Sequence, residues 1–394
     1  MAVTTQDNNF TSSSASEAPS SLVAGVVSFN GLVNLFGKTG SNGTSEVEIG
    51  LMGISTVNDW FGRLFSSAAG KTGPTGAWAG EWWAVHNYLQ YGGLCLIGAT
   101  GSTGDYYASN GVLGITKTPL HSKALAKIDV VFEAGNTFSA GAAASIATTR
   151  KDCVAMIGNN IKITGVPGLA AAYGTQITDF GVSHTSEYVA YIAGRKKFTA
   201  GVGTTINVLE ANLSPDVAGC AARTVRDATL WASPAGKTRG RILGVVSMQQ
   251  NFGETDASHL YSGNVNPVIV FPGEGTFLMG NRTSYSGTGI LTGINGAFLS
   301  AFLKKELVAA AETILFEAND EVARHKVIAL TTPILERAKA GNGVSSYRIV
   351  CDETNNTAEI IAAGKLVLDV YIQPVSTAET LVITIINTNT SEAF

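Results

Sequence analysis

The sequence predicts a mixed α/β protein of two units, and three stretches carry that prediction. Residues 128–132 and 153–157 are apolar, strand-like runs on either side of the alanine-rich segment 140–149. That β–α–β rhythm implies a small α/β layer in the middle of the chain. Further on, Ala323, Val327, Leu330, Ile334 and Ala338 recur at spacings of four, three, four and four, one face of a helix. Beyond them Leu366, Leu368, Val370 and Ile372 alternate with Val367, Asp369 and Tyr371, the pattern of a half-covered strand.

In chain order, residues 1–21 are rich in Ser, Thr, Asn and Ala. They cannot bury a core and read as a flexible arm. Residues 22–29, with Leu22, Val23, Val26 and Val27, read as the first strand. Around residues 82–89 the apolar stripe Trp82, Val85 and Leu89, flanked by Trp83, Asn87 and Gln90, predicts a helix ended by Gly92-Gly93. Residues 94–97 then read as a buried strand. Residues 188–198 carry another, with Arg195-Lys196-Lys197 as a solvated turn. A helix runs from Ile294 through Phe298, Phe302, Leu307 and Ile314.

The next helix has Asn319 and Asp320 as N-cap candidates and Gly341-Asn342-Gly343 as its stop. A short strand over 347–351 follows. Asn356 with Glu359 three residues on predicts a capped helix through Ala363, closed by Gly364. Pro374 breaks the alternating strand. The last strand, 381–386, carries Leu381, Ile383 and Ile385 and is apolar on both faces apart from Thr384, so it should be covered on both sides. The divisions expected are an arm at 1–21, an N-terminal and middle α/β region at 22–210, a C-terminal unit at 211–380, and a closing strand and arm at 381–394.

Several motifs resemble catalytic signatures without their context. Gly98-Ala99-Thr100-Gly101-Ser102-Thr103-Gly104 has the spacing of an NAD(P)-binding loop of short-chain reductases. Such a loop should open a helix that holds a pyrophosphate, yet Asp105–Thr118 has no helical stripe. The first later acid, Asp129, falls inside a predicted strand, and Tyr191 is followed four residues on by Arg195, not lysine. The stretch reads as a glycine-rich turn, with a reductase as the alternative. Gly-Lys-Thr occurs at 37–39, 70–72 and 236–238, but the glycine a P-loop needs five residues earlier is Leu32, Phe65 or Trp231.

Composition narrows the function further. Charged residues make up 14% of the 394, against about 25% in ordinary soluble domains. No apolar run approaches the roughly 18 residues of a membrane span, so no membrane insertion is expected. A chain this poor in charge is expected to hide surface against other copies of itself. The net charge of −4 offers no footprint for nucleic acid. Cys95, Cys153, Cys220 and Cys351 are scattered without a C-x-x-C; they read as buried small hydrophobes in a reducing compartment rather than as a disulfide frame or a zinc site. The N-terminus has neither a basic nor an apolar leader region.

Two stretches resemble contractile tail sheath proteins of long-tailed phages and related injection machines. One is Phe316-Glu317-Ala318-Asn319, then Cys351-Asp352, then Asn355-Asn356-Thr357. The other is Val217-Ala218-Gly219 with Ala222-Arg223, leading to Trp231 and Pro234-Ala235. Asn266-Pro267, Gly280-Asn281-Arg282-Thr283 and, more faintly, Arg150-Lys151-Asp152 extend the likeness. Met279 stands where the family has an aromatic residue, and Gly293-Ile294-Asn295-Gly296 replaces its paired arginines, so contacts of those arginines do not transfer.

The resemblance implies an α/β sheath core domain completed by N-terminal strands, a smaller middle domain, and arms at both ends. It implies a non-enzymatic subunit that polymerises around a tail tube and contracts, with no cofactor, metal or catalytic residue. The implied partners are other copies of the chain, a tail tube protein, and baseplate and tail-terminator proteins; the implied location is the virion tail, assembled in the host cytoplasm. Strands containing Leu22, Val23, Val26 and Val27, and Leu381, Ile383 and Ile385, are candidates for exchange between copies. Arg324, Lys326, Arg337 and Lys339 are candidates for the tube contact. Another self-assembling shell or tube protein is the remaining alternative.

Overall fold

The computed structural model describes residues 30–36, 46–52, 79–92, 94–100, 128–133, 137–159, 185–202, 205–287 and 289–375. Eight strands form one sheet: β1 (Asn30–Phe36), β2 (Glu46–Met52), β3 (Leu94–Thr100), β4 (Val130–Glu133), β5 (Val154–Gly158), β6 (Val189–Ala193), β10 (Val265–Phe271) and β11 (Gly275–Leu278). Their order is β11-β10-β6-β5-β4-β1-β3-β2. The six inner strands run parallel, and β2 and β11 close the two edges antiparallel. A three-stranded sheet of β7 (Arg195–Val202), β8 (Thr205–Asn212) and β9 (Ser247–Met248) stands beside it.

The predicted β–α–β unit is present. Between β4 and β5 lies α2 (Thr137–Arg150), and Val130, Val131 and Phe132 pair in register with Val154, Ala155 and Met156. A parallel pair needs such a crossover. Strand alternation divides the inner residues between two cores. Val130, Phe132, Val154, Met156, Ala190 and Ile192 face α1 (Ala79–Leu89) and α3 (Ser214–Asp227). Val131, Ala155, Ile157, Val189 and Tyr191 face α2 and α4 (Glu254–Ser262). The result is helix, sheet, helix in three layers.

The first core does not stop at the sheet. It continues through α5 (Ile294–Glu312) by Phe298 and Phe302 and reaches Leu335 and Ala338 of α6 (Glu321–Ala340). The expected division at 210/211 falls within β8, and β10 from beyond it pairs with β6. Close packing of α3 explains one glycine of its motif. A Cβ at Gly219 would lie 2.3 Å from the Tyr91 ring, nearer than any real contact.

Four expectations change. Residues 188–198 hold two strands, separated by Gly194 at φ 128°, and Arg195-Lys196-Lys197 opens β7 instead of forming a turn. Alternation along β7 points Lys196 inward, where a charge survives only with a partner. The partner is Asp216 of α3, 2.7 Å away, and both side chains are fully buried. Tyr91 donates its hydroxyl to the same carboxylate oxygen at 2.9 Å and accepts from the Leu243 amide at 2.8 Å. Lys196 also donates to the Leu243 carbonyl at 3.2 Å. Burial pushes the Asp216 carboxyl up despite Lys196, and pushes the Tyr91 phenol well up.

Gly98, Ala99 and Thr100 are not a turn either: they are the end of β3, paired with Asn34, Leu35 and Phe36. Residues 101–104 lie outside the described residues. Asp129 sits just ahead of β4 rather than within it. The buried face of α6 is Ala323, Arg324, Val327, Thr331, Leu335 and Ala338, while Leu330 is 38% exposed. Thr331 can be buried because its hydroxyl donates to the Val327 carbonyl at 2.9 Å, so the covered stripe runs one residue away from the apolar one. The expected strands at 22–29 and 381–386, with Leu22, Val23, Val26, Val27, Leu381, Ile383 and Ile385, lie outside the described residues.

Two measurements check this packing. Lys196→Met leaves Asp216 buried and unpaired and should cost about 3–5 kcal/mol in urea unfolding; adding Asp216→Leu should recover most of that loss. Cys153 and Cys220 are pushed up to about 12 by burial, and all four cysteines are buried. A thiol reagent at neutral pH should therefore label the native chain slowly and reach all four only on unfolding.

Candidate assembly interface

Helix α5 is pinned to the amino ends of the central strands. Lys305 donates to the Asp129 carboxylate at 2.7 Å and to the Ile128 carbonyl at 2.5 Å. Burial would lower the Lys305 ammonium, but Asp129 and Asp152 outweigh it and hold it above the ordinary value. Beside this pair Arg150 grips Asp152 with two hydrogen bonds of 2.9 Å, both side chains buried. That fork gives the Arg150-Lys151-Asp152 motif a structural role.

The corner between α5 and α6 accounts for the next motif. Phe316 takes φ 71° and its ring is 80% exposed. Glu317 pairs with Lys326 at 2.5 Å. Asn319 reaches across to the Lys365 carbonyl at 2.8 Å, and Asp320 alone caps α6, accepting from the Ala323 amide at 2.8 Å. Beneath the corner, Ile314, Ala323 and Val327 form a small core with Leu366 and Leu368.

After α6 the chain forms a hairpin of β12 (Val344–Val350) and β13 (Asp369–Pro374), with Tyr347 opposite Ile372 and Ile349 opposite Val370. The Cys351-Asp352 and Asn355-Asn356-Thr357 motifs are the knot that closes it. Asn356 is not the helix cap: Thr357 holds that place before α7 (Ala358–Ala362). Asn356 is instead 2% exposed, donating to the carbonyls of Val367 at 2.9 Å and Asp352 at 3.2 Å and accepting from the Val367 amide at 2.7 Å. Asn355 bridges the Val350 carbonyl and Asp369 at 2.8 and 3.0 Å. An amide does this where a carboxylate could not, because it both donates and accepts.

The remaining motif pieces are also frame. Asn266 donates to the Tyr191 and Arg282 carbonyls at 2.9 and 2.7 Å and accepts from the Arg282 amide at 2.7 Å. A Cβ on Gly280 would sit 2.6 Å from Asn266. Trp231 donates to the Gly341 carbonyl at 2.6 Å. Met279, in the family's aromatic place, is 36% exposed. Asn295, within the stretch that replaces the paired arginines, accepts from Asn281 at 2.7 Å.

Of the four basic residues proposed from the sequence, α6 turns Arg324 inward, 9% exposed. Lys326, Arg337 and Lys339 stand on its outside. Lys326 and Arg337, three helical turns apart, share one face; the Arg337 guanidinium lies 4.9 Å from the centre of the Phe302 ring. Sequence reading missed the charge pairs Lys196–Asp216 and Lys305–Asp129, which join residues far apart in the chain. The one local signal was a lysine at an inward position of an otherwise strand-like run. Among the described residues no three His, Cys, Asp or Glu side chains are placed to hold a metal, and no helix is long and apolar enough to cross a membrane.

Comparison with known proteins agrees with this frame. Residues 121–284 match the family model of the phage tail sheath protein central domain. The chain is 31% identical to the tail sheath protein of Enterobacteria phage T4 over 260 residues, 64% of this chain and 39% of that protein. It is 33% identical to the tail sheath protein of Vibrio phage KVP40 over 182 residues, 46% of this chain and 27% of that one. It thus spans less than half the length of these curated relatives. Among solved structures, the anti-feeding prophage helical sheath in its contracted state superposes with a TM-score of 0.65 at 16% identity, covering 97% of this chain and 99% of the other. The contracted sheath of an extracellular contractile injection system gives 0.65 at 14% identity, with 95% and 98% covered. The chain thus carries a match to a sheath central domain, is similar to phage tail sheath proteins over part of their length, and shares the sheath fold along nearly its whole length.

Proposed function

We propose that this chain is the structural subunit of a contractile sheath. Copies stack helically around a tail tube in a long form and rearrange into a shorter, wider one, driving the tube through a cell envelope. The observation that carries this reading is a match to the sheath central domain that shares one core with a C-terminal unit bearing a two-stranded hairpin. Among the described residues β12 and β13 pair only with each other, and an open strand edge invites a strand from another chain. The segments at 1–21 and 381–394 serve as arms, with Leu22, Val23, Val26, Val27, Leu381, Ile383 and Ile385 supplying the exchanged strands.

The work of contraction comes from two packings of the same surfaces, so the subunit needs no catalytic residue, cofactor or nucleotide. The partners are other copies, a tail tube protein, and baseplate and tail-terminator proteins; the subunits assemble in the host cytoplasm and act in the virion tail. Lys326, Arg337 and Lys339 meet the tube, and Arg324 braces α6 from within. Screened charge contacts suit a grip that must later be released, because each costs little to break.

Negative-stain images of the purified chain test the reading directly: hollow striated tubes support it, closed shells or unassembled subunits overturn it. Removing residues 1–20 should leave a folded, soluble subunit that no longer forms ordered tubes, and normal tubes from that truncation would take the linking role away from the arm. Lys326→Glu with Arg337→Glu should keep the fold and tube-free polymerisation yet lose co-assembly with tail tubes. Co-assembly of the unaltered chain should weaken as salt rises, while the sheath polymer itself persists.

A further inference from the structure

We propose that Phe316 of one subunit inserts into a hollow beside Trp231 on the next copy, a head-to-tail contact made by the two ends of α6. The inference rests on the reading of the chain as a self-assembling subunit and names the surfaces that meet.

Phe316 combines two features that a lone subunit gains nothing from. Its backbone lies at φ 71°, where a bulky side chain is an outlier, and its ring is 80% exposed. Such strain persists only when the surroundings over-determine it. Here they do. The Glu317 amide donates to the Ile314 carbonyl at 3.1 Å, Ile314 is packed in the small core beneath, and Asn319 is tied to Lys365. The ring is held out in advance, which lowers the ordering cost of docking it.

At the other end of α6 lies a hollow of about 210 Å³, lined by Trp231, Ala232, Leu299, Gly341, Val375 and Arg239 among others. That is less than the ~300 Å³ where drug-sized pockets begin. It suits one inserted side chain. A Cβ on Gly341 would meet the Trp231 ring at 2.3 Å, so the ring can lie against this loop only because glycine stands there.

The two surfaces also differ in charge. Exposed Glu317, Asp320 and Glu321 stand at the Phe316 corner, with Lys326 paired to Glu317 and Lys365 beside Asn319, which leaves these side chains with an acidic surplus. The lining of the hollow carries Arg239 and no carboxylate. A helix of 20 residues spans about 30 Å, so Phe316 cannot fill the hollow of its own subunit. A knob and a hole on opposite ends make a heterologous contact, and its repetition propagates as an open helix.

Phe316→Gly separates the knob from the fold, because glycine adopts positive φ freely. The variant should melt at or above the temperature of the unaltered chain, while the concentration needed for polymerisation rises at least tenfold. Ala232→Trp, which fills the hollow, should block polymerisation with the circular dichroism spectrum unchanged. Phe316→Cys combined with Ala232→Cys should give a ladder of disulfide-linked multimers on oxidation, absent from either single variant. Polymers that ignore Phe316→Gly, polymers of the double-cysteine chain without a ladder, or a ladder from Phe316→Cys alone would overturn the contact and leave the sheath reading standing. An unaltered chain that stays monomeric at every concentration would overturn both.

Discussion

The buried contact between Lys196 and Asp216 is the constraint on which the packing of this subunit turns. It joins β7 to α3, and through Tyr91 and Leu243 it fixes the end of α1 and the segment before β9. Removing two charges from water costs several kcal/mol per ion, and the attraction repays this only with good geometry and further hydrogen bonds. Lys196 and Tyr91 supply them on one carboxylate oxygen, while the other, Oδ2, has no hydrogen-bond partner. An apolar trio of the same shape would pack as well. What the charges add is register: a slip of one residue along β7 would turn Lys196 to the other face.

From that anchor the structure is transmitted outward by α5. Its apolar side joins the main core, and Lys305 holds it to Asp129 at the amino end of a central strand. The corner at Phe316, the helix α6 and the knotted hairpin are therefore mounted on the same body as the central domain. A sheath subunit moving between two packings, the role proposed for this chain, would need this. Force applied at an arm or at the tube face can rearrange contacts between copies only if the subunit itself does not deform. Tightly packed glycines at 219, 280 and 341 serve the same stiffness, since each lets an aromatic ring or the backbone approach within a distance no side chain would permit.

The family motifs turn out to be mostly internal. Arg150 with Asp152, Asn266 with Arg282, and Asn356 with Val367 are hydrogen-bonded frames, not surfaces offered to a partner. The Asn266 and Asn356 side chains satisfy backbone groups at loop ends that secondary structure leaves unpaired. The outer surface is where a sheath would meet its tube and its neighbours. There the chain carries Phe316, Lys326 and Arg337, whose meaning depends on a second molecule.

By itself the sequence determined the element types and the order of the family motifs, because these rest on local rules. The crossover of β4, α2 and β5 was legible in apolar runs, and the ends of α6 in Asp320 and in the glycines that follow Ala340. Tertiary structure decided what local rules cannot reach. Arg195-Lys196-Lys197 looked like a solvated turn because three cations in a row usually are one; only an acid on a helix twenty residues away makes the middle one a core residue. Gly98 to Thr100 looked like a turn because glycine is common there, yet a parallel neighbour, β1, carried the strand through it. The covered face of α6 moved off its most apolar stripe because a threonine can satisfy its own hydroxyl within the helix. The first two departures share one physical reason: the partner that settles the residue's place is distant in the chain and close only once the chain has folded.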